Sequence, residues 1–189
     1  MFIETETTPN PATLKFLPGR TVMPTGTLDI RDAKAAEQSG LARALFSIDG
    51  VSGVFYGADF VSVTKASGEW PHLKPAILGA IMEHFTSGAP LTDEGVHATA
   101  ISTESDEEFF DPNDVETVDT IKELIESRVR PAVAGDGGDI TFKGYRDGIV
   151  YLTMKGACSG CPSSTATLKH GIQNLLKHFV PAVQAVEQI

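Results

Sequence analysis

Cysteine is scarce, with two in 189 residues. That excludes the disulfide framework of a small secreted domain and points to a reducing compartment. No apolar run reaches the roughly 18 residues of a membrane-spanning helix, so no membrane span is expected. Basic residues are outnumbered: 15 Lys and Arg stand against 25 Asp and Glu, a formal charge of −10. Nucleic-acid binding needs a Lys/Arg face to neutralise phosphate, and the chain has no such cluster. There is no P-loop, no glycine-rich dinucleotide fingerprint and no Ser/His/Asp constellation, so a non-enzyme is expected. The first residues, MFIETETTPN, lack the basic and apolar regions of a secretory signal and the Arg-rich character of a transit peptide. The expectation is a chain that stays where it is made, or a mature form whose leader was removed.

What is present is unevenly placed. Ten of the acidic residues fall between Asp93 and Asp119, a stretch with no Lys or Arg. The rest of the chain is balanced. This predicts two small domains, 1–88 and 114–189, joined by an acidic flexible linker over 89–113. Within the linker, STESDEEFFDPND reads either as a solvated spacer or as a docking segment anchored by Phe109 and Phe110.

The fold class is α+β, two small α/β domains. In the first, Phe2 to Thr7 alternates apolar and polar, and TLKFLPG is a half-buried strand ended by Pro18-Gly19. A short strand over Thr27 to Ile30 follows. Leu41, Ala44, Leu45 and Ile48 recur at helical spacing. VSGVFYGADFVSVT predicts a hairpin turning near Gly57. Leu73, Ile77, Leu78, Ile81, Met82 and Phe85 form one face of a second helix, stopped by Gly88. Trp70 stands before that helix as a packing anchor. His72, His84 and His97 show no ligand spacing.

The second domain predicts the order α-β-β-α-β. Asp114 is the expected N-cap of a helix with Val118, Ile121, Leu124, Ile125 and Val129 inward, and Pro131 should end or kink it. GDGGD, Gly135 to Asp139, is a turn rather than a metal site. Asp147-Gly148 joins two strands in a tight hairpin. Leu168, Ile172, Leu175, Leu176 and Phe179 form the buried face of the last helix, Pro181 stops it, and AVQAVEQI closes as a strand.

Both cysteines lie in KGACSGCPSS, Cys158 and Cys161. Pro162 should open the helix, which places both sulfurs at its positive end and lowers their pKa. Gly156 and Gly160 allow a tight turn that aims N–H groups at sulfur. Four readings are open. Two buried thiols are one, although a glycine-rich loop is poorly placed for burial. A zinc module is another, but zinc takes four ligands, and His170 and His178 are too far apart for a zinc pair. A thioredoxin-like dithiol–disulfide oxidoreductase wants CxxC beside a βαβ pattern, whereas a β-hairpin precedes this motif. The fourth is half of an iron–sulfur site. Such clusters take four thiolates, which two symmetry-related chains would supply together.

RPAVAGDGGDI, GIVYLTMKGACSGCPSSTATLKHGIQ and VPAVQAVEQI closely resemble the NifU C-terminal-like (Nfu) domain of iron–sulfur cluster carriers. TPNPATLKFLPG, GVSGVFYGADFVSVTK and WPHLKPAI resemble the N-terminal domain that accompanies it. The resemblance implies an assembly factor that holds a 4Fe–4S cluster between the subunits of a homodimer and delivers it to apo-proteins. A 2Fe–2S cluster remains open, since both can take four thiolates. It assigns Cys158 and Cys161 as cluster and metal ligands and nothing else. It implies apo iron–sulfur clients and upstream assembly factors as partners, with no nucleic acid and no membrane. The first domain, which has no cysteine, is left with partner recognition. Some members are mitochondrial and carry a leader. The expectation here is a bacterial cytoplasm, or the mitochondrial matrix if a leader was removed.

Overall fold

The computed structural model describes residues 1–92, 108–159 and 162–189, with backbone only for 162–164. These residues fall into two compact units, one within Met1–Thr103 and one within Glu104–Ile189.

The first unit is one antiparallel sheet with helices on one face. Its strands are β1 (Glu4–Thr7), β2 (Thr13–Leu17), β3 (Leu28–Ile30), β4 (Val51–Tyr56) and β5 (Val61–Lys65), in the order β1-β2-β5-β4-β3. Register explains the core. Phe16, Val61, Tyr56 and Leu28 stand opposite one another across four strands, as do Leu14, Val63, Val54 and Ile30. Opposite residues share a face, and all eight are buried. The alternate row Lys15, Ser62, Phe55 and Asp29 faces the other way. There the Lys15 ammonium meets Glu6 at 3.0 Å and lies 4.9 Å from the Phe60 ring.

Three helices complete this unit: α1 (Ala33–Ala36), which sequence periodicity missed, α2 (Gly40–Phe46) and α3 (Trp70–Ser87). Ser39 caps α2 through the Ala42 N–H. The same hydroxyl bonds the buried Tyr56 hydroxyl at 2.9 Å. Leu41, Leu45, Leu73, Ile77 and Ile81 are buried as expected. Two positions differ. Ala44 is exposed and Ala42 buried, because the short helix turns Ala42 onto the sheet. Met82 is 43% exposed, and the inward place on α3 belongs to His84. Gly88 ends α3 in the left-handed conformation. The Trp70 indole N–H donates to the Pro11 carbonyl at 3.1 Å, which ties the start of α3 to the β1–β2 turn.

The second unit contains α4 (Val115–Leu124), α5 (Arg130–Gly135), β6 (Gly138–Arg146), β7 (Ile149–Gly156), α6 (Pro162–Phe179) and β8 (Ala185–Gln188). The sheet order is β6-β7-β8, with β8 parallel to β7. Asp147 and Gly148 both have positive φ, 52° and 79°, which is the tight hairpin turn expected between β6 and β7. Pro131 does not end the first helix. The helix widens into a π segment over Ile125–Val129 and resumes with Pro131 in the first turn of α5. There a missing N–H costs little, and the widening relieves the clash of the ring with the preceding turn. Asp114 does not cap α4 with its side chain. Asp111 instead accepts from the Asn113 N–H at 2.9 Å, because a 3₁₀ turn over Pro112–Asp114 precedes the helix. Phe179 is 45% exposed and lies against the Arg128 guanidinium at 5.0 Å. Ile172 and Leu176 carry the buried face of α6.

Of the two readings of the acidic segment, docking holds for its two phenylalanines. The Phe109 N–H donates to Lys143 O at 3.1 Å, and the Tyr145 N–H donates to Phe109 O at 2.8 Å. Phe109 thus adds one parallel bridge to the β6 edge. Its ring lies 5.1 Å from that of Tyr151 and 5.4 Å from the Arg146 guanidinium. Phe110 packs against the core of the unit, and Lys122 pairs with Glu108 beside it. Gly144 makes this possible: a Cβ there would stand 2.5 Å from the Phe109 ring. Residues 93–107, including His97, lie outside the described residues.

Two predictions follow from packing. His84 is buried, and its Nε2 has no hydrogen-bond partner among the described residues. Burial lowers its pKa below the ordinary 6.5. The unfolded chain therefore binds the proton more readily. Stability is full above about pH 6.5 and falls as the pH drops toward the lowered folded value. The denaturation midpoint of wild type minus that of His84→Phe should decline between pH 7.5 and 5.5; a flat difference refutes the assignment. In the second unit, Phe109→Ala should cost about 1 to 2 kcal/mol in urea unfolding. Gly144→Ala should be destabilising in wild type and nearly neutral when Phe109 is already Ala, a coupling that a double-mutant cycle measures.

Candidate functional site

The cysteine motif occupies the crossover from β7 to α6. A 3₁₀ turn, Ala157–Ser159, leaves the strand, and α6 begins at Pro162. The Ser159 hydroxyl donates to Gly156 O at 2.9 Å, and the Thr165 hydroxyl donates to Cys158 O at 2.8 Å. The first turn of α6 therefore holds the cysteine backbone. From the other side, the Ala157 N–H donates to Gly137 O at 3.2 Å.

The GDGGD run is a turn, as expected, but it is also the wall of the cysteine seat. Gly138 stands opposite Gly156 across the β6–β7 ladder. A Cβ on Gly138 would stand 2.5 Å from Lys155 O and 3.0 Å from the Cys158 sulfur. Backbone carbonyls cannot retreat as a side chain can, so the contact admits only glycine. Asp139 follows and is 5% exposed. Its carboxylate is forked by Arg130, with Nε and Nη2 each at 2.9 Å. Arg130 also reaches Glu126 one turn back. The sequence signal for this pair was the glycine–aspartate run itself; its partner could not be named without the π segment that aims Arg130.

Cys158 departs from expectation. It is 5% exposed and belongs to the same buried cluster as Met154 and Ile172. Burial, and then the charges of Asp136 and Asp139, push its thiol up to about 12. The expected lowering by the helix end is outweighed, because the sulfur is buried among apolar side chains. Cys161 and Gly160 lie outside the described residues. His170 and His178 are both exposed on α6. Among the described residues no three His, Cys, Asp or Glu side chains gather as a metal site. One ground against the redox alternative falls: β7, α6 and β8 form a parallel crossover, and Cys158 stands in the turn between β7 and its helix. The burial of Cys158 replaces it, since an attacking thiol needs exposure and a lowered pKa.

The family model described as scaffold protein Nfu/NifU N terminal matches residues 3–88, and that described as NifU-like domain matches residues 121–187. The chain belongs to the Nfu/NifU scaffold family. The human protein named NFU1 iron-sulfur cluster scaffold homolog, mitochondrial, is 48% identical over 191 residues, covering 100% of this chain and 72% of that one. NifU-like protein 4, mitochondrial, of Arabidopsis thaliana is 50% identical, covering 100% of this chain and 66% of its own length. A solution structure of a NifU-like protein from Saccharomyces cerevisiae aligns with 50% of this chain and 86% of that one, at 25% identity and a TM-score of 0.46. The Nfu/NifU relatives named as scaffolds are thus iron–sulfur cluster scaffold proteins, and both expected domain types are present.

The buried thiol predicts slow chemistry. In a Cys161→Ser chain free of metal, Cys158 should react with iodoacetamide at pH 8 at least about a hundredfold more slowly than an unperturbed thiol of pKa 8.5. The rate should still be rising about tenfold per pH unit at pH 10. A plateau below pH 9 would contradict the burial.

Proposed function

We propose that this Nfu/NifU chain carries a 4Fe–4S cluster between two copies of itself and passes it to apo-proteins, with Cys158 and Cys161 of each copy as the ligands. The observation that carries the reading is the count and placement of thiols. The chain has two cysteines, both in the crossover that leads into α6, inside the NifU-like match. A cluster of four thiolates is completed by a second copy. Soft sulfur donors suit iron–sulfur cargo better than the hard carboxylates nearby. The first unit, lacking cysteine, recognises partners: clients and upstream assembly factors. The segment between the units is the spacer. Of the two compartments expected, the relatives' names support the mitochondrial one.

In mechanism, metal binding removes the thiol proton outright, which Cys158 does not lose unaided near neutral pH. The Thr165 and Ser159 hydroxyl bonds hold the loop at the helix start while the donor changes state. A cluster shared by two loops is released when the copies part, which suits transfer.

Anaerobic reconstitution with iron and sulfide tests this. The expected product has about four irons per two chains, a 4Fe–4S Mössbauer spectrum and the mass of a dimer. Cys158→Ser and Cys161→Ser should each abolish it. One zinc per chain with unfolding on chelation would favour the zinc module. A colourless protein that reduces insulin disulfides would favour the oxidoreductase.

A further inference from the structure

We propose that Arg130 and Asp139 are the positioning pair of the cysteine loop: their fork fixes the first residues of β6 against Gly156–Cys158 and thereby sets where the Cys158 sulfur stands. The inference rests on the cluster-carrier reading for its purpose and on geometry for its substance. Three contacts link the pair to the thiol. Asp139, held by two 2.9 Å bonds from Arg130, is nearly buried. The adjoining Gly138 runs so close that a Cβ on it would stand 3.0 Å from the Cys158 sulfur and 2.5 Å from Lys155 O. Gly137, one residue further, accepts the Ala157 N–H. Asp139 Oδ1 also accepts the Ile140 N–H at 2.8 Å, so the carboxylate braces its own strand.

The fork is positional rather than a source of stability. A half-buried ion pair roughly cancels its own desolvation cost, and the core of the unit is apolar without it. What the planar guanidinium adds is direction: two parallel bonds allow one orientation, which a lysine cannot reproduce. Groups that orient metal ligands from behind change affinity by about 10- to 100-fold when lost. The chain places such a group on α5, reached through the π segment, with Glu126 steadying it from the preceding turn.

Arg130→Lys in the full chain is the test, read twice. In the metal-free protein, exchange of the Ala157 amide should quicken about tenfold or more while that of Leu176, deep in α6, stays at its wild-type rate. In the reconstituted protein, loss of iron to a chelator should be about tenfold faster. If Arg130→Lys fails to fold, Arg130→Met combined with Asp139→Leu leaves no buried charge unpaired and should show the same local loosening. An unchanged chelation rate, or exchange that rises as much at Leu176 as at Ala157, overturns the proposal. A wild-type chain that takes up no cluster overturns the carrier reading instead, and the amide measurement then still decides whether the fork holds the loop.

Discussion

The site depends on the gap between Gly138 and the Cys158 sulfur. A single hydrogen fills it, where a methyl group would stand 3.0 Å from sulfur and 2.5 Å from a carbonyl oxygen. That gap is set by strand register. Gly138 lies opposite Gly156 because β6 carries one extra residue at the bulge between Phe142 and Gly144. Without the bulge the upstream half of β6 would slip by one residue and present its other face. The bulge is also where Phe109 crosses the strand edge. Turn, bulge and glycine pair are therefore one device: each places the next, and the last of them seats the thiol.

The seat has a chemical consequence. Thiolate is disfavoured there by burial and by two carboxylates, the reverse of what a redox nucleophile requires. Iron bound at this sulfur would change the balance, since the metal takes the place of the thiol proton. A thiol that is inert alone and competent only with metal is protected from oxidation and stray disulfide exchange. Such protection would suit the proposed carrier, whose cargo leaves. Under that proposal, loss of the cargo would return the sulfur to the protonated, buried state seen here rather than to a reactive one.

Much of this was legible in the sequence, and the failures have physical causes. Among the described residues, period-2 and period-3.6 patterns and turn signals located each strand and the longer helices, since those patterns are what burial of one face imposes. Turn chemistry placed Asp147-Gly148 and Gly88. Met82, Ala44 and Phe179 were misassigned because an apolar side chain at a helical repeat need not meet the sheet; in α3 the inward place went to His84. The cysteine motif was legible as chemistry but not as geometry. Its burial comes from the apolar cluster that includes Met154 and Ile172 and from the close passage of Gly138, all brought together only by the hairpin and the crossover. Arg130 was invisible for a similar reason. A regular helix through Pro131 would point it elsewhere, and nothing in the local sequence announces a π segment.

The irregular features of the second unit gather in one place. The π segment, a proline inside a helical run, a nearly buried aspartate, a close glycine contact and a buried thiol all fall between Ile125 and Ser159. Each runs against what stability alone would select: apolar packing, regular hydrogen bonding and alanine in place of glycine. The first unit has departures of its own among its described residues, including Pro75 inside α3, the buried Lys15, close glycine contacts at Gly50 and Gly57 and the unpartnered Nε2 of His84, but none of them surrounds a thiol. Local rules broken together, around one side chain with distinctive chemistry, mark where a fold has been shaped by use rather than by stability. The surrounding elements, α6 with its buried Ile172 and Leu176 and the parallel β8, remain regular. They supply the rigid frame against which so many local exceptions can be held.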